Sequence, residues 1–443
     1  MLLLCTQLTF IDPRITEQKI QDGTEMSPCS NLLHESDMLL TDDQMDELVR
    51  SAMTEAGVSM AALNFVFDEY YFFKEDLPPK EEQGIGGFSR SRRMKRGAAT
   101  ADSATRWPLP IRYRLDSNVG AGAVQAAIRE WEESTCVTFN KVDLSKRQLQ
   151  GNYISFEEGE SCSSNIGKKT RSEGQTISLT RRCQRNKFTV AHEIGHALGL
   201  WHEHSRSDRN NFVSINSGNI EKTSLGQFTL VESGRILGLG QLNYDHGSVM
   251  HYRSTAFGKR KNLQTIQARL EKNQLTMGQR SALSFNDAKS INQVYCSGQC
   301  RGSRLGCRYG GYEDPKNCRR CRCPDGFGGT NCASVARSDA GCGDGERNAG
   351  RAAADISVSG AKNCFWHIKS NSRVRITIKS LNFACRRSCS DFVELKVESD
   401  FAKTGGRFCC RRPADSFTSE TGEALVIYRG RGNGQLTFSY QAT

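Results

Sequence analysis

Between positions 192 and 203 the chain reads His-Glu-Ile-Gly-His-Ala-Leu-Gly-Leu-Trp-His-Glu. On a helix, His192 and His196 stand one turn apart on the same face, so both imidazoles can reach one cation while Glu193 lies beside the position they leave open. Gly199 can take a left-handed conformation that ends the helix and turns the chain back, so that His202 supplies a third ligand. Three neutral imidazoles hold a tetrahedral Zn2+ and leave one place for water, the pattern of a catalytic rather than a structural site. The chemistry expected is hydrolysis. Zinc acidifies the water, Glu193 takes its proton as general base, and the same carboxyl returns it to the leaving group. A pair of histidines at this spacing occurs in ordinary helices; the glycine and the third histidine make the pattern specific. His204 falls outside the ligand spacing and reads as a surface histidine.

Downstream stands Ser248-Val249-Met250-His251-Tyr252. It resembles the Met-turn that closes beneath the zinc of metzincin proteases. Met250 can form a thioether floor under the histidines, and Tyr252 can reach the metal or a developing oxyanion; the other reading is a core turn with a packed tyrosine. With Glu203-His204-Ser205-Arg206-Ser207-Asp208-Arg209, Tyr244-Asp245-His246-Gly247 and Gly278-Gln279-Arg280, the chain resembles the astacin family of that clan from Trp107-Pro108 to Tyr295-Cys296. It departs from the family at Ser207, where proline is common, and between Cys183 and His192, a stretch one residue longer than usual. The resemblance implies an α+β metzincin protease domain with an active-site cleft, one zinc ion and peptide-bond hydrolysis. It also implies disulfides Cys136–Cys296 and Cys162–Cys183, where spacing alone allows three connectivities. Gln175-Thr176-Ile177-Ser178-Leu179 is similar to the edge strand that aligns an extended substrate in metzincins; a plain core strand is the alternative. Arg253, Lys259 and Arg260 follow the turn closely, and with the family's habit they lead us to expect acidic residues just after the scissile bond.

Among the elements that must carry these residues, apolar periodicity predicts helices over 122–134 and 187–198 and a strand over 174–180. At 443 residues and 37% hydrophobic content the chain is long enough for several globular domains. Eighteen cysteines argue for an oxidising compartment. No run of eighteen apolar residues exists, so no membrane span is expected. Met1-Leu2-Leu3-Leu4-Cys5 is apolar but lacks a basic flank and a full hydrophobic stretch; the expectation is a secreted protein whose signal peptide is truncated here or whose start is misplaced.

Residues 1–96 read as a leader and prosegment, with Thr41 or Asp42 capping an amphipathic helix toward Leu63. Arg93-Met94-Lys95-Arg96 presents the spaced basic residues that a furin-like convertase binds, which would make Gly97 the new amino terminus; a solvated charge run is the alternative. Phe73-Lys74-Glu75-Asp76-Leu77 resembles the aspartate motif by which astacin prosegments block their zinc, with Glu75 where glycine is usual. Asp76 is the expected switch and Asp68 the runner-up. After cleavage the Gly97 ammonium could turn inward to Glu203, beside the third ligand.

Cys300, Cys307, Cys318, Cys321, Cys323 and Cys332 lie in residues 298–335, which end Cys-Pro-Asp-Gly-Phe-Gly-Gly-Thr-Asn-Cys and resemble a small disulfide-rich EGF-like module. The family pairing implied is 300 with 318, 307 with 321 and 323 with 332, and we read the module as a spacer. Residues 342–443 alternate short strand-like runs, among them Val374-Arg375-Ile376-Thr377-Ile378 and Ala424-Leu425-Val426-Ile427-Tyr428. With Cys342, Cys364-Phe365-Trp366 and Cys385, they resemble a CUB domain, an all-β sandwich. Cys389 and the adjacent Cys409-Cys410 add a bridge whose partners stay open. An acidic residue found in calcium-binding CUB domains is missing near Leu381-Asn382-Phe383. The protein is thus expected to be multidomain, resembling nematode-type and tolloid-like astacins, with Cys5 and Cys29 in the leader. Net charge is +11, and residues 342–443 hold 16 Lys and Arg against 10 acidic residues. Acidic or matrix partners fit that surplus, solvated surface charge is its commoner explanation, and nucleic acid is not expected without interleaved aromatics. Extracellular proteins are the expected substrates. The competing function class is an inactive adhesion protein, against which Glu193 argues.

Overall fold

The computed structural model describes residues 104–142, 151–170, 174–231, 242–385 and 388–443 with side chains, and the backbone of Ser103 and of strands Met38–Leu39, Gly97–Thr100 and Ile236–Gly238. Asp68, Asp76, Arg96, Cys5, Cys29 and the expected helix from Thr41 lie outside the described residues.

Four parallel strands open the region that carries the histidines, in the spatial order Phe139–Lys141, Ile111–Leu115, Ile154–Glu158 and Gln175–Leu179. Against them packs helix Ala121–Ser134, whose Val124, Ala127, Ile128 and Trp131 recur at helical spacing and are buried. Beneath lies helix Lys187–Ala197. Its start is capped by Asn186, whose side chain accepts the Phe188 N–H at 2.8 Å. Trp131 donates its indole N–H to Ala191 O at 2.9 Å, which locks the two helices together. The second helix is buried on nearly all sides, its polar His192, Glu193 and His196 included.

Beyond Gly199 regular structure thins to short turns and two small antiparallel ladders, Val213–Ile215 with Ile266–Ala268 and Ile236–Gly238 with Gly97–Thr100. A second cluster forms here from Val213, Phe228, Tyr244, Tyr252, Ile266 and Met277, whereas Met250 belongs to the first cluster. The Met250 turn therefore joins the two lobes. Helix Phe285–Tyr295 closes the region, opened by a reciprocal Ser284–Asp287 capping box. Disulfides join Cys136 to Cys296 and Cys162 to Cys183.

Strand Gln175–Leu179 is last in its sheet, yet Ser178 exchanges both backbone hydrogen bonds with Ser163, at 3.0 and 2.9 Å. The reading of 175–179 as the open substrate edge is thereby corrected: the outer segment is Ser163–Asn165, along which Met38–Leu39 runs parallel.

The six-cysteine module pairs Cys300 with Cys318, Cys307 with Cys321 and Cys323 with Cys332. It is not a free spacer. Its Tyr312 hydroxyl accepts from Asn292 at 2.7 Å, and Arg322 donates to Glu133 O. On its other side Cys321, Phe327 and Cys332 share a buried cluster with Phe365, Phe401, Leu425 and Ile427. Aromatic residues at a module surface need cover as much as those in a core do.

The last unit is a sandwich of two sheets. Five strands are ordered Glu346–Asn348, Asn363–Lys369, Glu423–Arg429, Phe392–Lys396 and Gly406–Phe408; four are ordered Ala354–Ser359, Gln435–Ala442, Val374–Asn382 and Phe417–Thr418. Trp366, Ile376, Val393, Val426 and Phe438 fill the space between. Disulfides join Cys342 to Cys364, Cys385 to Cys410 and Cys389 to Cys409, so adjacent cysteines serve separate bridges.

Candidate metal centre

Helix Lys187–Ala197 carries His192, Glu193 and His196 inward, all three buried. Gly199 has φ of 103°, a left-handed value that a side chain would strain, and from it the chain returns to bring His202 alongside. His192 Nδ1 lies 2.7 Å from Val249 O and His196 Nδ1 lies 2.8 Å from Leu200 O. A carbonyl can only accept, so in both rings the proton is on Nδ1 and Nε2 keeps its lone pair for the centre. His196 Nε2 stands 3.2 Å from His202 Nε2, and one nitrogen from each of the three rings falls within 4.8 Å of the others. Two zinc–nitrogen bonds of about 2.05 Å at a tetrahedral angle span roughly 3.3 Å, so the donor set fits one zinc ion. Among the described residues this is the only group of three or more His, Cys, Asp or Glu so gathered.

Met250 lies under the helix. A Cβ on Gly195 would come within 2.7 Å of its sulfur, so the glycine is what lets the thioether approach. The turn around it has no ladder of its own and is held by side chains. Asp287 accepts Ser248 Oγ–H at 2.6 Å and the Val249 N–H at 2.8 Å, and Gln279 donates to Gly247 O at 2.7 Å. Met250 O accepts the Glu203 N–H at 3.2 Å.

Tyr252 is wedged between histidines: its ring centroid is 4.2 Å from His202 and 4.0 Å from His204, stacked on the latter. His204 is wholly buried, which corrects its reading as a surface residue. Its position beyond the ligand spacing hid a role as the second face of the tyrosine slot. Burial first, then His202 and neighbouring cations, hold its pKa well below the usual range, so it is neutral.

Glu203 is also buried, paired with Arg206 at 3.0 Å and accepting the Asp245 N–H at 2.8 Å. Burial pushes its carboxyl up to about 7 against the pull of Arg206. Beside it is a cavity of about 10 Å3, lined by Glu203, Asp245, Met250, Asn286 and Asp287. Asp245 Oδ2 and both amide atoms of Asn286 are buried without a partner. Gly97 instead heads strand Gly97–Thr100, paired antiparallel with Ile236–Gly238. Arg253, Lys259 and Arg260 are exposed.

Sequence reading did not single out Asp287 or Asn286. The Ser284-x-x-Asp287 capping signature would have found the helix start, though nothing in it says that the carboxylate also holds the Met250 turn.

Residues 99–296 match the Astacin peptidase family, and residues 355–441 match the CUB domain. Zinc metalloproteinase nas-34 of Caenorhabditis elegans is 35% identical over 430 residues, 96% of this chain and 66% of its own length. Zinc metalloproteinase nas-36 of the same organism is 37% identical over 368 residues, 80% of this chain and 58% of its own. The solved High choriolytic enzyme 1, a hatching enzyme zinc-protease from Oryzias latipes (Medaka fish), is 26% identical, covers 48% of this chain and 98% of its own, and gives a TM-score of 0.38. The chain spans less than two thirds of the length of these curated relatives. The histidine helix and the turn beneath it fall inside the first matched segment, so the chain carries a domain of the astacin family of peptidases, followed by a CUB domain.

Proposed function

We propose that this chain is a secreted zinc-dependent endopeptidase, made as a latent precursor and acting on extracellular or matrix proteins. The observation that carries the reading is the facing pair of Nε2 atoms of His196 and His202, 3.2 Å apart beside buried Glu193. Bound there, zinc supplies Lewis acidity, lowering the pKa of a water and polarising the scissile carbonyl. Glu193 takes the water's proton and delivers it to the leaving amine; its burial keeps that proton from bulk solvent. Tyr252, fixed between two imidazoles, donates its hydroxyl to the oxyanion. No covalent intermediate is required. Acidic residues after the scissile bond are favoured by the exposed cations at 253, 259 and 260.

Latency follows from the segment before Gly97. Asp76 blocks the metal until a furin-like convertase cuts after Arg96, and the parallel strand Met38–Leu39 on Ser164–Asn165 supports a prosegment laid along the substrate edge. The freed Gly97 ammonium then turns toward Glu203, a move favoured by the partnerless Asp245 Oδ2 and Asn286 amide beside that carboxylate. The six-cysteine unit is an EGF-like module, and the basic CUB domain takes acidic or matrix partners.

The test is cleavage of denatured gelatin or casein by protein cut after Arg96, with and without a chelator. Hydrolysis that a chelator abolishes and zinc restores supports the reading; an inactive adhesion protein shows none. For latency, the Arg96→Ala precursor is compared with one also carrying Asp76→Ala. Asp76 is not the switch if the second is no more active and binds zinc-site inhibitors no better.

A further inference from the structure

The turn under the histidines is clamped from two directions, one of which lies outside the protease domain. From the protease side come Asp287 and Gln279, described above. From the CUB sandwich comes the segment around Thr404. Its N–H donates to Asp245 Oδ1 at 3.2 Å, the same oxygen that accepts the Gly247 N–H at 2.9 Å. Its side chain closes over Gly247, where a Cβ would meet the Thr404 Cβ at 2.5 Å. Gly247 is not among the glycines with positive φ, so it is this contact, not its backbone conformation, that excludes a larger residue.

The docking extends well beyond Thr404. Asn243 Nδ2 donates to Asp400 Oδ2 at 2.6 Å, and Lys272 pairs with Glu398 at 2.8 Å. Buried Thr276 donates to Gly405 O at 3.3 Å and accepts the Arg407 N–H at 3.0 Å. Ser388, between the two bridged cysteine pairs of the CUB loop, reaches Met277 O and Gly278 O, both at 3.1 Å. Leu275 packs against the CUB core itself. Asn243 stands just before the Met250 turn, and Lys272 to Gly278 lead into Gln279, which holds Gly247 O. Asp245 passes the contact on: its N–H holds Glu203, whose own N–H holds Met250 O.

We infer that the CUB domain is a positioning element for the metal centre, with Thr404 holding the Asp245–Met250 turn in the place from which Val249 O orients His192. A turn without a ladder keeps one geometry only if enough outside groups fix it, and one of these, Thr404, comes from a domain that carries no catalytic group. The docking stands without any catalytic reading; its effect on turnover rests on the hydrolysis proposed above.

The experiment uses the full chain and a steric pair. Gly247→Ala drives a methyl group into Thr404, and Thr404→Gly makes room for it. Hydrogen exchange in chelator reads the amides of 247–250 with no metal and no substrate, so this readout does not depend on activity. Expected is a rise of about tenfold or more for Gly247→Ala, returned close to the parent value in the double variant. Asn243→Ala, an exposed change that leaves the turn intact, gives a smaller rise in the same amides. With cut, zinc-loaded protein and a peptide too short to touch the CUB domain, kcat falls roughly tenfold in Gly247→Ala with KM unchanged and recovers in the double variant. A core change far from the interface, Ile376→Ala, alters neither readout. The inference is overturned if Thr404→Gly fails to restore protection to Gly247→Ala, or if Asn243→Ala and Gly247→Ala leave exchange at 247–250 as it was. Restored protection in a protein that hydrolyses nothing upholds the docking and counts against the proposed activity alone.

Discussion

Trp366 and Met250 are both buried beneath sheets or helices, yet they are held in different ways. Trp366 sits on strand Asn363–Lys369, seven residues that pair in continuous register with Glu423–Arg429. Met250 sits in a turn with no ladder, fixed by Asp287, Gln279, Glu203 and the CUB segment at Thr404. In the sandwich, support is spread over many equivalent backbone bonds, so losing one side chain leaves the frame standing. In the turn each support is a single group reaching from elsewhere, a side chain at Asp287 and Gln279 and a backbone N–H at Glu203 and Thr404. The centre gains precision from this and loses tolerance.

The most severe consequence of that intolerance is expected at Glu193. Glu193→Ala leaves all three histidines in place, so we expect zinc to stay bound while hydrolysis falls about a thousandfold or more. Metal analysis and turnover on casein measure both, and near-parental turnover would sink the mechanism. Next in size is Tyr252→Phe, which keeps the ring between His202 and His204 but removes the donor; kcat should drop about a hundredfold with KM little changed.

A matched pair of variants probes the two kinds of support directly. Asp287→Ala strands the Ser248 hydroxyl and the Val249 and Ser284 N–H groups, and Ile376→Ala opens a cavity in the sandwich. Both should cost about 3 kcal/mol in urea unfolding. Only the first should also lower kcat, and equal losses of turnover would show that the two regions are held alike. The weakest effect concerns pH at the interface. Burial alone would raise the Glu398 carboxyl, but Lys272 and Lys403 bring it from 4.5 to about 2. A depressed carboxylate pKa stabilises the fold above the unfolded value, so this contribution is complete above pH 4.5 and disappears as pH falls through about 2. Glu398→Gln should flatten the acid limb of the melting profile by about 1 kcal/mol at most.

Much of the centre was legible because its chemistry is written locally. His192, Glu193 and His196 are set by helical spacing, Gly199 by the need for a left-handed residue, and His202 by the return it permits. The Gln175–Leu179 strand was equally readable from alternation, but not its outer neighbour: Ser163 carries no strand signal, and only the paired backbone shows that it covers Ser178. His204 failed for the same reason. Ligand spacing says which histidines meet a metal, whereas burial of a histidine against an aromatic ring depends on a residue far along the chain.

The order of residues alone therefore points to the groups that share one turn of helix or one tight bend: the three histidines, Glu193 beside them, the Met250 turn and the closely spaced cysteines. How distant segments share a load emerges only when the chain is folded. That Asp287 spans a helix cap and the turn, that Tyr252 lies between two imidazoles, that the six-cysteine unit is packed on both sides, and that Thr404 rests on Gly247 are all contacts between residues remote in the chain. Local propensity records a residue's neighbours over a few positions, and the specificity of a packed interior comes from shape and hydrogen-bond complementarity between surfaces that no short window contains.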